Sequence, residues 1–348
     1  MVSKVDMDCM KEALALAAQG RGFVSPNPMV GAVLMHEGRI IGKGYHQQFG
    51  GQHAEVHCLQ DVSASDRHLI TESTLYVTLE PCAHYGKTPP CADLIIRSGI
   101  PRVVVATRDP FHAVQGKGIT RMQEAGIDVQ VGLMGEDAAN LNARFFTYQQ
   151  LKRPYITLKW AETADGFIGT GTTDRMMISG EETNRLVHAW RAAEDAILIG
   201  SGTAVLDDPS LTVRHVAGKS PLRIIMQGDQ PLPNSLKMFQ DGKPVLVVNG
   251  KKNQEVGPVR YLQVDMQAGP GALMSYLYDL KIQGLMVEGG KAILQFFLDG
   301  GYWDEIKIIC NTTLNAHGGV PAPKLTSDAV FRHTMKSGND RITTFKKK

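Results

Sequence analysis

Residues 53–57, His53-Ala54-Glu55-Val56-His57, and residues 74–82, Thr74-Leu75-Tyr76-Val77-Thr78-Leu79-Glu80-Pro81-Cys82, decide the fold of this chain, together with Cys91 nine residues further on. The apolar positions Ala54, Val56 and Leu59 predict a helix beginning near His53, and Thr74 to Leu79 predicts a strand. Cys91 to Arg97 reads as a second helix ending at Gly99. Working outward, Met10, Ala13, Leu14 and Ala17 have helical spacing from Asp6 and stop at Gly20. Val30 to Leu34 and Arg39 to Gly44 flank His36-Glu37-Gly38 as a hairpin. Arg102 to Thr107 is a strand, Gly118 to Glu124 a helix closing on Gly126, and Ile127 to Val131 a strand. Strands alternating with helices behind a helix and a hairpin predict a three-layer α/β domain around a mixed sheet. A last helix from Glu136 to Leu151 should end before Pro154, which puts the domain boundary at 150/151.

His53, Cys82 and Cys91 offer one imidazole and two thiolates, the three ligands a catalytic zinc keeps while a fourth position stays open for water. Both cysteines are expected at or near a helix start, where the positive dipole end favours thiolate. Glu55 stands two residues beyond His53, placed to reach such a water without ligating the metal. Zinc lowers the pKa of the water to about 7, and a neighbouring carboxylate can shuttle its proton. A lone His or Cys is usually structural, and Cys9, Cys58 and Cys310 read as buried thiols. The joint pattern is not a chance one, because it is the order found in zinc deaminases of nucleobases. It has one departure: eight residues instead of two separate the cysteines, which brings His84 and Lys87 beside the metal.

The length of 348 residues favours two domains, 1–150 and 151–348. With 43% apolar and 21% charged residues the composition is that of an ordinary globular protein. Lys plus Arg is 37 against 35 for Asp plus Glu, and a net charge of +2 gives no footprint for nucleic acid or an anionic membrane. No apolar run reaches the roughly 18 residues of a membrane span. Met1 to Met10 carries Asp6 and Asp8 and lacks a signal-peptide layout, so a cytoplasmic address is expected. Five cysteines cannot all pair, and without an export signal they read as thiols or ligands.

The second half is again α/β. Strands are expected at Tyr155 to Trp160, Ala196 to Ile199, Leu222 to Met226, Val245 to Val248, Leu285 to Glu288 and Ile306 to Cys310. Helices are expected at Glu181 to Ala192, Gly271 to Lys281 and Lys291 to Leu298. No Gly-x-Gly-x-x-Gly follows the first strand, so a Rossmann domain is not indicated. Glu288-Gly289-Gly290-Lys291 joins a strand to a helix through two glycines; this is either a plain tight turn or a place where backbone amides approach a phosphate. Asp207 and Asp208 fall on an expected loop, and Arg214 with Arg191 can clamp a sugar phosphate. Lys346-Lys347-Lys348 reads as a solvated tail.

Pro26-Asn27-Pro28-Met29-Val30-Gly31, Gly44-Tyr45-His46, the His53 and Cys82 motifs and Lys87-Thr88-Pro89-Pro90-Cys91 together resemble the bifunctional deaminase–reductase family of riboflavin biosynthesis. In the second half, Lys159, Asp165-Gly166, Gly200-Ser201-Gly202-Thr203, Asp207-Asp208-Pro209, Leu211-Thr212-Val213-Arg214 and Glu288-Gly289-Gly290 are similar to its reductase motifs. The resemblance implies a cytidine-deaminase-like domain followed by a dihydrofolate-reductase-like one. It implies deamination of 2,5-diamino-6-ribosylamino-4(3H)-pyrimidinone 5′-phosphate, then reduction of the ribosyl group to ribityl with NADPH. It makes His53, Cys82 and Cys91 the ligands of one Zn2+ per chain, with Glu55 as the proton shuttle, and Asn27, His46, His84 and Lys87 contacts of the deaminase substrate. Ala161, Met177, Thr203, Asp207 and the run Gly290, Lys291, Ala292, Ile293, Leu294, Gln295 and Phe296 would touch NADPH. Arg175, Arg191, Leu211, Arg214 and Glu288 would face the pyrimidine ribotide. A homo-oligomer is a further expectation from the family.

Two positions depart from the family pattern: Met177-Ile178-Ser179 stands where a Trp-led triplet is common, and Gln227-Gly228 where Asp-Ser is usual. They bear on the choice between NADPH and NADH, and they are the support for an alternative in which only the deaminase works. A nucleic-acid base deaminase is a second alternative, opposed by the charge balance. A zinc-stabilised scaffold is a third, opposed by the lack of a fourth ligand with suitable spacing and by Glu55.

Overall fold

The computed structural model describes residues 3–85, 89–111, 115–172 and 176–348. The chain divides into two units, Met1–Leu151 and Lys152–Lys348.

The first unit runs α1 (Lys4–Ala18), β1 (Gly31–His36), β2 (Arg39–Tyr45), α2 (Ala54–Asp61), a 3-10 turn (Arg67–Glu72), β3 (Thr74–Val77), α3 (Cys91–Arg97), β4 (Arg102–Val105), α4 (Lys117–Glu124), β5 (Asp128–Val131), α5 (Gly135–Leu141) and α6 (Ala143–Leu151). Its sheet has the order β2-β1-β3-β4-β5; β1 is antiparallel to both neighbours, whereas β3, β4 and β5 are parallel. Strand side chains alternate between faces. Ala32, Leu34, Leu75, Val77, Val103 and Val105 therefore pack with Ala54 and Cys58 of α2, Ala92 and Ile95 of α3 and Met122 of α4. Val33, Tyr76 and Val104 point the other way, onto Met10 and Ala13 of α1 and Ala138 of α5. The result is three layers, with the β3–α3 connection emerging at the C-terminal edge of the parallel strands.

The second unit runs β6 (Tyr155–Glu162), β7 (Phe167–Gly169), α7 (Glu181–Ala192), β8 (Ala196–Gly200), α8 (Ser201–Asp207), β9 (Leu222–Met226), α9 (Lys237–Gln240), β10 (Val245–Asn249), β11 (Gln254–Val256), β12 (Val259–Gln263), α10 (Gly271–Asp279), β13 (Gly284–Val287), α11 (Lys291–Asp299), β14 (Glu305–Asn311), β15 (Val320–Pro321), β16 (Ala329–Ser337) and β17 (Asp340–Lys347). The main sheet has the order β11-β12-β10-β9-β8-β13-β6-β14-β17-β16. From β12 through β14 every pairing is parallel, and the edges at β11 and at β17–β16 are antiparallel. Central strands such as Val245–Asn249 are buried on both faces, which explains why they read as unbroken apolar runs rather than alternating ones. One face packs on α10 and α11 through Leu273, Leu277, Leu294 and Phe297. The other packs on Ala204, Leu236 and Met238.

Four expectations need correction. The single helix over 136–151 is two, α5 and α6, broken at Asn142, whose side chain bonds both the backbone N–H and C=O of Met29 at 2.8 Å. Lys346 and Lys347 are not a solvated tail: they pair in β17, and Lys347 Nζ donates to the Gly301 carbonyl at 2.5 Å and lies over the Trp303 ring. Asp207 closes α8 instead of sitting on a loop. Cys82 lies in the connection after β3, while Cys91 alone begins a helix.

Candidate active sites

His53 precedes α2 with extended backbone and makes no capping bond through its side chain, so the imidazole is free to turn toward the β3–α3 connection. Its Nδ1 stands 3.2 Å from Cys91 Sγ and 3.7 Å from Cys82 Sγ. Tetrahedral zinc with Zn–N near 2.05 Å and Zn–S near 2.3 Å requires N···S edges of about 3.6 Å, and the two distances bracket that value. All three donor atoms lie within 4.8 Å of one another. The residues present therefore fit zinc. Although Cys82 is not at a helix start, its sulfur accepts the backbone N–H of Cys91 at 3.3 Å, the first residue of α3. A hydrogen bond from the Cys91 thiol, with help from the His53 ring and that N–H, pulls the Cys82 thiol well below the ordinary thiol range against the opposing effect of burial.

Glu55, the second residue of α2, is buried, and burial pushes its carboxyl upward against the opposing pull of His53. His46 is buried too. Its Nδ1 faces the Gln52 carbonyl at 2.8 Å, which makes that nitrogen the donor and leaves Nε2 to accept from the Asn27 amide at 3.0 Å. Burial pushes the His46 pKa down and keeps the ring neutral. The ring packs edge-on against His53, centroids 5.6 Å apart. Asn27 and His46 thus join the three donors in one cluster. His84 is exposed, two residues past Cys82, and Lys87 lies outside the described residues.

In the second unit, a cavity of about 400 Å³ opens at the C-terminal ends of β6, β8 and β13. Of the expected cofactor contacts, Ala161, Met177, Thr203, Asp207, Gly290 and Leu294 line it. Lys291, Ala292, Ile293, Gln295 and Phe296 are not among the lining residues. They are the first turns of α11, a helix whose period turns Gln295 toward Asp299 and Lys324 and Phe296 onto the core. Glu288, Arg191, Leu211 and Arg214 also line the cavity; Arg175 lies outside the described residues.

The cavity holds a buried ion cluster. Arg191 Nε and Nη2 each donate to the Glu288 carboxylate at 2.7 Å, and Lys159 Nζ stands 3.6 Å from Glu288 Oε2. Burial would raise the Glu288 carboxyl, but Lys159 and Arg191 outweigh it and hold the group at about 2. The same burial pushes Lys159 down. Arg191 is thus committed to Glu288 and does not form a free clamp with Arg214, whose Nη1 donates to Thr212 Oγ1 at 3.2 Å. Among the lining residues that the sequence reading did not single out is His188: buried, it accepts the Arg214 backbone N–H on Nδ1 at 3.2 Å and packs edge-on against His215. It stands three residues before Arg191 on α7, hence on the same helical face, and that spacing was the available signal. The size of the cavity is that of a small-molecule site. A Cβ added at Gly290 would stand 3.1 Å from Thr203 Oγ1, so glycine keeps this part of the cavity wall open to a bound cofactor.

A three-ligand zinc site beside a buried glutamate activates water, and one His with two Cys as the ligands is the set that zinc deaminases of nucleobases use, which places the first unit in the class of zinc-dependent deaminases. Residues 3–107 match the cytidine and deoxycytidylate deaminase zinc-binding region, and residues 154–345 match the RibD C-terminal domain. The riboflavin biosynthesis protein RibD of Aquifex aeolicus is 42% identical over 324 residues, 91% of this chain and 90% of that one. RibD of Actinobacillus pleuropneumoniae is 37% identical, covering 85% and 81%. The solved structure of a diaminohydroxyphosphoribosylaminopyrimidine deaminase/5-amino-6-(5-phosphoribosylamino)uracil reductase from Thermotoga maritima superposes with a TM-score of 0.90 at 33% identity, covering 99% of both chains. The chain belongs to the RibD family, bifunctional enzymes of riboflavin biosynthesis with a zinc-dependent deaminase domain and an NADPH-dependent reductase domain. Both cofactors expected from the sequence, and the two-part α/β architecture, stand. No helix among the described residues is long and apolar enough to cross a membrane.

Proposed function

We propose that the first unit deaminates 2,5-diamino-6-ribosylamino-4(3H)-pyrimidinone 5′-phosphate and that the second reduces the ribosyl group of the product to ribityl. The observation that carries the first half is the donor triad at tetrahedral edge distances, His53, Cys82 and Cys91, with Glu55 buried beside it. Zinc, when bound, supplies a water activated at neutral pH. Glu55 takes a proton of the attacking water on a carboxylate oxygen as the C–O bond forms and delivers it to the amino nitrogen, so that ammonia leaves as the C–N bond breaks. His46 and Asn27 form a hydrogen-bonded pair beside His53, with the His46 tautomer set by Gln52. His84 and Lys87, on the long connection between the cysteines, contact the polar substrate in this reading.

In the second unit NADPH, when bound, supplies the hydride. Glu288 stays anionic and fixes Arg191 and Lys159 around the space that the ribosylamine enters. Lys159 Nζ stands beside that carboxylate, whose charge opposes the downward push of burial on the ammonium group. Thr203, Asp207, Gly290 and Leu294 form the cofactor side of the cavity, and Leu211 and Arg214 the substrate side. The family spans both units, which favours two working activities over a degenerate reductase.

The test follows ammonia release and NADPH oxidation in one cuvette, with zinc-loaded protein and the diaminopyrimidinone ribotide. Ammonia first and NADPH loss second supports the reading. Ammonia with neither NADPH nor NADH consumed confines it to the first unit and turns attention to Met177 and Gln227. A homo-oligomer and a cytoplasmic address belong to the same proposal; a monomer by light scattering at micromolar concentration removes the former.

A further inference from the structure

Glu80 lies two residues before Cys82 and is buried, yet no charged side chain pairs with it among the described residues. Its carboxylate is met by backbone instead. Oε2 accepts the N–H of Asp109 at 3.3 Å and of Gly116 at 3.0 Å, and Oε1 accepts the N–H of Gly118 at 3.0 Å and of Ile119 at 3.4 Å. Three of those four donors belong to the N-terminal turn of α4 or the residue before it, where N–H groups lack helical partners. The Glu80 N–H closes the arrangement by donating to the Thr107 carbonyl at 3.0 Å. Gly118 packs so tightly that a Cβ there would stand 1.9 Å from the Pro81 carbonyl oxygen, so α4 rests directly on the peptide that carries Cys82. Arg121, one turn later, donates to the Ala83 carbonyl at 3.3 Å on the other side of Cys82.

We propose that Glu80 is a positioning residue of the deaminase: by gathering Asp109 and the start of α4 against Pro81 it fixes the backbone of Cys82, and with it the geometry of the metal centre. The inference rests on His53, Cys82 and Cys91 being the zinc ligands. A carboxylate that satisfies four N–H groups cannot be replaced by an amide, because Gln presents an NH2 to donors and loses the charge. Groups outside the ligand set that orient a ligand typically change metal affinity or activity by about 10- to 100-fold.

The experiment uses the full chain and compares wild type with Glu80→Gln. Zinc affinity is read by chelator competition, the d–d spectrum after cobalt substitution reports ligand geometry, and reduction of pre-deaminated substrate reports the second unit. The expected result is zinc binding weakened by about 10-fold or more, an altered cobalt spectrum, slower ammonia release and unchanged NADPH oxidation. A melting temperature that falls while zinc affinity and the cobalt spectrum stay as in wild type makes Glu80 merely structural and overturns the proposal. If Glu80→Gln does not fold, Gly116→Ala loosens the same segment through a side chain at φ +79° and is held to the same outcomes. Wild type that binds no zinc at one per chain removes the ligand assignment itself, a result distinct from equal binding by both proteins.

Discussion

Replacing Glu288 with Gln tests the reductase cavity most directly. The Lys159 and Arg191 cations outweigh burial and hold the wild-type carboxyl at about 2, below its ordinary 4.5, which corresponds to about 3 kcal/mol of stability from charging this group in the fold. The net value is smaller, because the burial that Glu288 tolerates also pushes Lys159 down. In the variant both Arg191 and Lys159 stay buried without a counter-charge, and breaking a buried pair from one side costs about 3–5 kcal/mol. For a unit of this size the melting temperature should fall by about 6–20 °C. The sign with pH is fixed: a depressed carboxyl contributes fully above its unfolded pKa and loses that contribution as pH falls toward the folded one. The difference between wild type and Glu288→Gln should therefore be flat above pH ~5.5 and about 1.4 kcal/mol smaller by pH 3.5. Urea unfolding of the full chain across that range, followed by far-UV circular dichroism, provides the assay. A gap below 1 kcal/mol at pH 7, or one that does not narrow in acid, refutes the account of the cluster.

Glu55→Gln should retain one zinc per chain and lose ammonia release by at least about 100-fold, while pre-deaminated substrate is still reduced; near wild-type ammonia release would remove Glu55 as the proton carrier. Stripping zinc with a chelator should destabilise the first unit by about 4 kcal/mol relative to metal at a thousand times its dissociation constant, measured as a concentration-dependent melting shift. Asn142→Ala leaves the N–H and C=O of Met29 without their 2.8 Å partners, for a loss of about 2–4 kcal/mol, and should slow deamination because the freed segment carries Asn27. His188 is held down to about 4, first by burial and then by Arg191, His215 and Arg214. Below pH 6.5 the unfolded state takes up a proton the fold refuses, so stability should decline from pH 6.5 toward 4; His188→Asn should flatten that decline in melting curves.

Much of both units was legible because their periodicities are clean. Strand β4, Arg102–Val105, and strand β10, Val245–Asn249, carry apolar residues that nothing but a covered sheet can accommodate. The metal donors were legible as well, since the chemistry of zinc needs those residue types irrespective of fold. The β16–β17 hairpin escaped because its outer strand is exposed along nearly its whole length, and in β17 only Asp340, Ile342 and Thr344 are fully buried, with Phe345 packed partly buried on the core. Charged residues on an edge strand disguise its period. The commitment of Arg191 to Glu288 escaped for a different reason: the two are 97 residues apart, and a lone Arg beside a phosphate-like motif looks the same whether it is free or paired.

A common thread runs through what sequence reading missed. Glu80 holds the backbone of Asp109, Gly116, Gly118 and Ile119, Asn142 holds Met29, Asp165 accepts the N–H groups of Ala316 and His317, and Asp195 those of Gln283 and Gly284 at the start of β13. Each of these side chains is aimed at main chain, and main-chain N–H groups carry no signature of residue type. Pattern reading finds the atoms that do chemistry because they must be His, Cys or Glu. It passes over the atoms that hold them, because their partners can be any residue at all. A ligand held by three side chains from separate segments is only as precise as the backbone of each segment, and in the first unit Cys82 and Asn27 both lie on irregular chain. The polar side chains directed at that chain are accordingly where changes remote from the metal should alter deamination without altering the donor set.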